Sequence, residues 1–283
     1  MVRSYHYYRS DSVREGAPLV LVLHGSMGTG PGIRRMFGYG FDLAADKHGF
    51  IVVYPDGFNR HWNDCRTKAP CQAKIRNVDD LGFVDALIEH FVTRQQVNPE
   101  KVFATGFSNG GQMSLRLFME RPQRVRAIAA LNSNLPETEN FDCSLPKSGS
   151  APSALLVAGT DDPVAPYSGG EVVFMGKSRG RALSADATAD QLLHAAGILN
   201  SQPIESVLPD HNKNDGVYAS EKIWRGTGAQ NSKASEVRLL TLHGAGHTLA
   251  HPKHRTMPSK AGKFSRDFIA ADYIWSFFDA TLD

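Results

Sequence analysis

The sequence predicts an α/β fold with a mainly parallel central sheet and helices on both faces. Three observations predict it. Several stretches of strand length are apolar at every position, among them Leu19–Leu23, Ala127–Leu131 and Ala154–Ala158, as expected of parallel strands covered on both sides. The segments between such runs repeat apolar residues at helical spacing. Finally, Val102-Phe103-Ala104 passes through Gly106-Phe107-Ser108-Asn109-Gly110 into a helical pattern, giving a strand, a sharp turn and a helix in succession.

Taken in order, Ser4–Tyr8 alternates like an edge strand, and Leu19–Leu23 follows as a buried one. The loop His24-Gly25-Ser26-Met27-Gly28-Thr29-Gly30 is too rich in glycine to hold a helix. Phe41–His48 reads as a helix capped by Gly49, and Phe50–Tyr54 as a strand ended by Pro55-Asp56-Gly57. A polar loop with Trp62 and two cysteines leads to Asp79-Asp80. From there Leu81, Val84, Leu87, Ile88, Phe91 and Val92 mark one face of a helix that stops at Asn98-Pro99. The two aspartates suit its first turn, where the helix dipole favours negative charge. Past the Ser108 helix come the strands Ala127–Leu131 and Ala154–Ala158, then a helix opened by Ser184 and Asp186 and closed at Gly197. Residues 201–235 read as polar and irregular apart from a short strand at Val217–Trp224. Val237–Leu242 is the last strand, and a helix with Phe268, Ile269, Trp275 and Phe278 finishes the chain. Without an internal repeat or a linker, residues 1–283 are expected to form one domain.

Composition narrows the function classes. Lys and Arg total 31 against 29 Asp and Glu, a formal charge of +2, which offers no electrostatic footprint for nucleic acid or an anionic membrane. No run of 18 apolar residues occurs, so no membrane span is expected. Residues 1–20 are too polar for a signal-peptide core, so the chain is expected either to stay inside or to have lost a leader. The cysteines are Cys65, Cys71 and Cys143, and their spacing suits no zinc site. Cys65 and Cys71 flank a short proline-containing loop and would close a small disulfide; three free thiols is the alternative.

The chemistry starts at Ser108. Small residues on either side let a serine stand out on a strained turn at a helix start, beside the backbone N–H of Asn109. A serine hydroxyl is a poor nucleophile at neutral pH, so it needs a base, and the base needs an orienter. Two later strands end in suitable loops, Gly159-Thr160-Asp161-Asp162-Pro163 and His243-Gly244-Ala245-Gly246-His247. Asp161 and Asp162 both qualify as orienter at this stage. Among the histidines, His247 is the best base, because the glycines around it free its loop to reach Ser108. A metal cluster of His243, His247, His251 and His254 would need a helix that Gly244, Gly246 and Pro252 oppose, so no metal or cofactor is expected. His24, His243, His251 and His254 are read as structural. The second donor to a developing oxyanion, besides the Asn109 N–H, is expected from the Ser26 N–H, with Met27 in reserve.

Several segments together resemble the polyhydroxybutyrate depolymerase / feruloyl esterase group of α/β-hydrolases, the LpqC-like esterases especially. They are Leu23-His24-Gly25, Val53-Tyr54-Pro55-Asp56-Gly57, Trp62-Asn63-Asp64, Val78–Phe83, Asn98-Pro99 through Met113, Gly159–Tyr167 and Gly246-His247-Thr248. The resemblance implies the α/β-hydrolase fold and places Ser108, Asp162 and His247 on the triad positions. It also implies a secreted or periplasmic serine esterase acting on 3-hydroxyalkanoate polyesters, their oligomers or hydroxycinnamate esters. An acyltransferase or a serine peptidase using the same triad are the alternatives. Where similar sequences carry a tryptophan after Gly-His-Thr, this chain has Leu249, and the loop that follows is basic, with Lys253, Arg255, Lys260 and Lys263. That loop is read as solvated; the sharper expectation is that it borders the cleft and favours substrates with a free carboxylate. Met27, Trp62, Tyr167, Trp224 and Leu249 are the candidate cleft-lining residues.

Overall fold

A computed structural model describes residues 1–146, 148–149, 151–226, 235–254 and 256–282. Nine strands form one sheet in the order β1-β3-β2-β4-β5-β6-β11-β10-β9. Its centre is parallel: β2 (Leu19–Leu23), β3 (Ile51–Pro55), β4 (Val102–Phe107), β5 (Ala127–Leu131) and β6 (Ser153–Gly159), all buried throughout, and β11 (Glu236–His243), buried except at Glu236, Arg238 and His243. Antiparallel strands close both sides, β1 (Tyr5–Arg9) against β3, and β10 (Tyr218–Arg225) with β9 (Ile204–Val207) against β11.

Side-chain alternation splits each central strand between two cores. Leu19, Leu21 and Leu23 face α4 (Asp80–Gln95), α5 (Asn109–Glu120) and α6 (Ala185–Ala196). Val20 and Val22 face α1 (Gly30–Met36), α2 (Gly40–His48) and α7 (Ala270–Ala280). In the second core Trp275 stacks on Phe50 at 4.0 Å and Phe278 on Phe103 at 4.7 Å between ring centroids, geometry that adds to plain area burial. Phe268 and Ile269 precede α7, with Ile269 as its N-cap.

Several elements differ from the sequence expectation. Helix α1 begins at the last glycine of the loop judged unable to hold one, because the Thr29 hydroxyl accepts from the Gly32 N–H and Pro31 presets the first turn. A hairpin of β7 (Gly170–Phe174) and β8 (Lys177–Ala182), turning at Met175 and Gly176 with positive φ at both, lies where no strand is expected. Strand β9 sits in the supposedly irregular stretch. The disulfide joins Cys65 to Cys143, 78 residues apart, and Cys71 is a free, half-buried thiol. The Cys65–Cys71 pairing is therefore corrected: proximity in sequence favoured it, while the fold brings the segment around Phe141 back against Arg66.

Asp79 and Asp80 do more than face a helix dipole. Asp79 caps α4 by accepting from the Gly82 N–H at 2.8 Å. Asp80 is buried, pairs with Arg3 at 2.7 Å and accepts from the Asn63 N–H at 2.7 Å. Burial pushes its carboxyl up, opposed by the Asn63 bond and the Arg3 charge. Among the described residues no helix is long and apolar enough to cross a membrane.

Candidate active site

The candidate groups meet at the C-terminal ends of the central strands, where ligands of open α/β sheets bind. Strand β4 runs straight into Ser108, whose φ of 55° and ψ of −118° lie outside the regions open to ordinary residues. Two close approaches hold that turn. A Cβ on Gly106 would stand 2.2 Å from the Gly110 carbonyl oxygen, and one on Gly110 would stand 2.1 Å from that of Leu23. The Ser108 N–H donates to the Leu131 carbonyl at 2.9 Å, and its own carbonyl accepts from the Gln112 N–H and the Ser133 hydroxyl. Asn109 opens α5, so its N–H has no partner within the helix.

Asp162 and His247 follow the neighbouring strands β6 and β11, which pair through Gly159 and Leu242. His247 Nδ1 lies 2.7 Å from Asp162 Oδ2; because a carboxylate only accepts, the ring proton sits on Nδ1 and Nε2 is left as an acceptor. Asp162 is 6% exposed, and its other bonds come from the Val164 and Ala165 N–H groups and the Asn132 amide. Asp161 takes the turn role instead, accepting from the Thr160 hydroxyl at 3.0 Å. The His247 ring packs on Phe107, the residue before Ser108, with centroids 4.7 Å apart.

The loop after β2 completes the setting. His24 donates from Nδ1 to the Gly25 carbonyl and accepts at Nε2 from the Gly57 N–H. Burial, the largest influence, lowers its pKa to about 4 and keeps it neutral. The Met27 N–H is spent on the Arg60 carbonyl, and the Arg60 guanidinium binds the Met27 carbonyl in return. Ser26 lines the same narrow slot as Ser108. Behind both, Trp62 donates its indole N–H to the His24 carbonyl, and the Asn109 side chain exchanges bonds with the Trp62 backbone and Asp64. Asp64 in turn holds Arg66 at 2.5 Å.

Two depressions flank Ser26. One is an open groove of about 470 Å³ walled by Met27, Ile33, Met36, Phe107, His254 and Met257, within the size range of small-molecule sites. The other is the slot, with about 20 Å³ of room. Of the cleft candidates, Met27 is exposed in the groove. Trp62 is 1% exposed, Trp224 9% and Leu249 2%; the structure places all three in the cores and not on a cleft surface. Tyr167 is half-buried, with its hydroxyl 3.1 Å from that of Thr241. Lys253, Lys260 and Lys263 are exposed, and Arg255 lies outside the described residues. His243 bonds the Ser220 hydroxyl and stacks on Tyr218; His251 accepts from the Lys253 and His254 N–H groups. Among the described residues, no group of three or more His, Cys, Asp or Glu is arranged to hold a metal.

The sequence reading missed Gln112, Asn132 and Asn134, which line the slot beside Ser108. Their signal was available: Asn132-Ser133-Asn134 is a polar cluster directly after a buried parallel strand.

With this geometry in view, the profile of the phospholipase/carboxylesterase family matches residues 14–174. NocK of Nocardia uniformis subsp. tsuyamanensis, a protein named as an esterase, is 27% identical over 95% of this chain and 77% of its own length. Feruloyl esterase C of Emericella nidulans is 33% identical over 47% of this chain; the match spans 42% of that protein, less than half. The solved acetyl xylan esterase from Aspergillus awamori shares the fold, with a TM-score of 0.56 and 17% identity over 86% of this chain and 88% of that one.

Proposed function

Since the chain belongs to the phospholipase/carboxylesterase family, we propose that it hydrolyses carboxylic esters through an acyl-enzyme on Ser108, with His247 as base and Asp162 as its orienter. One observation carries this reading. A buried carboxylate fixes the imidazole tautomer at 2.7 Å, and that ring packs on the residue next to a strained serine. His247 Nε2 takes the proton as Ser108 Oγ attacks the ester carbonyl. The Ser26 and Asn109 N–H groups hold the oxyanion, and His247 returns the proton to the leaving alcohol. Water then repeats the sequence and frees the acid.

The methionine-walled groove suits the bulkier, apolar part of an ester, since methionine adapts to varied shapes. Oligoesters of 3-hydroxyalkanoates and hydroxycinnamate esters are the substrate classes to assay. The Cys65–Cys143 disulfide supports an extracytoplasmic, oxidising location. The test is hydrolysis of 4-nitrophenyl acetate and butyrate, methyl ferulate and 3-hydroxybutyrate oligomers. Ser108→Ala is expected to lose roughly 10⁴- to 10⁶-fold in kcat, and Asp162→Asn about 10⁴-fold. An unchanged rate in Ser108→Ala overturns the assignment.

A further inference from the structure

We propose that the slot beside Ser108 selects a short acyl group bearing a hydroxyl, of the glycolyl or lactoyl class, through the amide oxygens of Gln112, Asn132 and Asn134. This rests on the serine esterase reading above. The orientation of the three amides is settled by their partners. Gln112 Nε2 donates to the Asn134 carbonyl at 2.6 Å, and Asn134 Nδ2 donates to the Pro166 carbonyl at 3.1 Å. Asn132 Nδ2 donates to Asp162 Oδ2 at 3.1 Å and to the Gly246 carbonyl at 3.2 Å. All of these partners only accept, so no amide can turn over, and the oxygens are the ends left over.

Those oxygens, Gln112 Oε1, Asn132 Oδ1 and Asn134 Oδ1, have no hydrogen-bond partner. Their residues are 5%, 3% and 2% exposed. Buried acceptors without partners are costly and rare in folded proteins. Here, among the described residues, three of the seven such side-chain atoms belong to residues lining one slot that also holds the nucleophile. The slot therefore calls for a hydrogen-bond donor.

Charge and size decide which donor. Arg179 lines the same slot, as does Arg66, whose charge Asp64 balances, so an ammonium group would meet the like charge of Arg179. A carboxylate would face three oxygens. A neutral hydroxyl donates to an amide oxygen and can still accept from a guanidinium. Room of about 20 Å³ is about one small polar group, a hydroxyl or a water, which keeps the group short.

The proposal puts the acyl group in the slot, which Ser108 itself lines, and leaves the alcohol to the open groove, one wall of which is Phe107 with its ring packed on His247.

The test compares kcat/KM for glycolyl against acetyl, and lactoyl against propionyl, as esters of one alcohol. Each ratio is divided by the ratio of hydroxide-catalysed rates, which removes the intrinsic effect of the hydroxyl. The wild-type protein is expected to favour the hydroxyacyl ester at least about 10-fold after this correction, because a site built to bond a hydroxyl rejects the analogue lacking it. Gln112→Met and Asn134→Leu should each pull the corrected ratio toward one. The ratio is taken within one protein sample, so a smaller folded fraction cancels. A corrected ratio near one in the wild-type protein overturns the proposal. So do ratios untouched by both substitutions, or a preference that follows a hydroxyl on the alcohol (2-hydroxyethyl against propyl acetate). If Ser108→Ala abolishes hydrolysis while the ratio is flat, only the slot proposal fails. If Ser108→Ala hydrolyses every ester as well as the wild-type protein does, the esterase reading itself fails.

Discussion

His24 illustrates at one residue how the site depends on a missing charge. Its two ring nitrogens hold the Gly25 carbonyl and the Gly57 N–H only in the neutral form. Burial depresses its pKa to about 4 from the ordinary 6.5. A depressed folded-state pKa contributes stability that is fully present above pH 6.5 and is lost as the pH falls toward 4. The difference corresponds to about 3 kcal/mol. Urea unfolding should therefore weaken more steeply between pH 7 and 4.5 in the wild-type protein than in His24→Asn. Equal slopes would show that His24 is not the group responsible. Legibility at this scale followed chemistry. Ser108, Asp162 and His247 stand in short motifs at strand ends, so sequence alone could nominate them. Gln112 and Asn134 matter through what their amides fail to bond, which no spacing reveals. Trp62 looked like a loop aromatic, but its indole N–H finds the His24 carbonyl and the ring is buried with it.

Among the elements, the turn from β4 into α5 is held by close packing. Gly110→Ala would drive a methyl group to 2.1 Å from the Leu23 carbonyl and 2.7 Å from that of His24. The Leu23 oxygen cannot retreat, since Leu23 is held in the pairing of β2 with β4. Denaturation should show a loss of about 3 kcal/mol or more, and esterase activity should fall with it because the Ser26 loop starts at those atoms. Wild-type stability in this variant would refute the packing argument. The central strands were readable because burial on both faces leaves them few polar residues to confuse the pattern. The β7–β8 hairpin was hidden: its faces are mostly exposed, and its turn residues Met175-Gly176 are not the usual Asn-Gly. Strand β9 is exposed at every position, so its pairing with β10, not its composition, makes it a strand.

Across the whole molecule, the Cys65–Cys143 bond ties the loop carrying Asp64 and Arg66 to a segment 78 residues later. Closing a loop of that length in the unfolded chain is worth up to about 4 kcal/mol in the chain-entropy description. Cys143→Ser should lower stability by that order, whereas Cys71→Ser should change little. Alkylation of the unfolded, unreduced protein should label one thiol, at Cys71; labelling of all three would contradict the pairing. The fold class was legible from alternating buried runs and helical stretches. The disulfide was not, because which cysteines meet is decided by the return of the chain after β5, a long-range event with no local trace.

The neighbouring strands β6 and β11 also have a historical consequence. Asp162 and His247 are 85 residues apart in the chain, yet the parallel pairing that ends at Gly159 and Leu242 brings their loops side by side. Between them the chain makes an excursion through the β7–β8 hairpin and α6, then adds β9 and β10 to the sheet beyond β11. That excursion supplies Val172, Phe174 and Arg179 to the wall of the slot. Exchanges in that part of the slot wall leave the β6–β11 pairing that places Asp162 beside His247 untouched. Under the proposed esterase reading, the hairpin is therefore the place where acyl preference could drift while Asp162 and His247 stay paired.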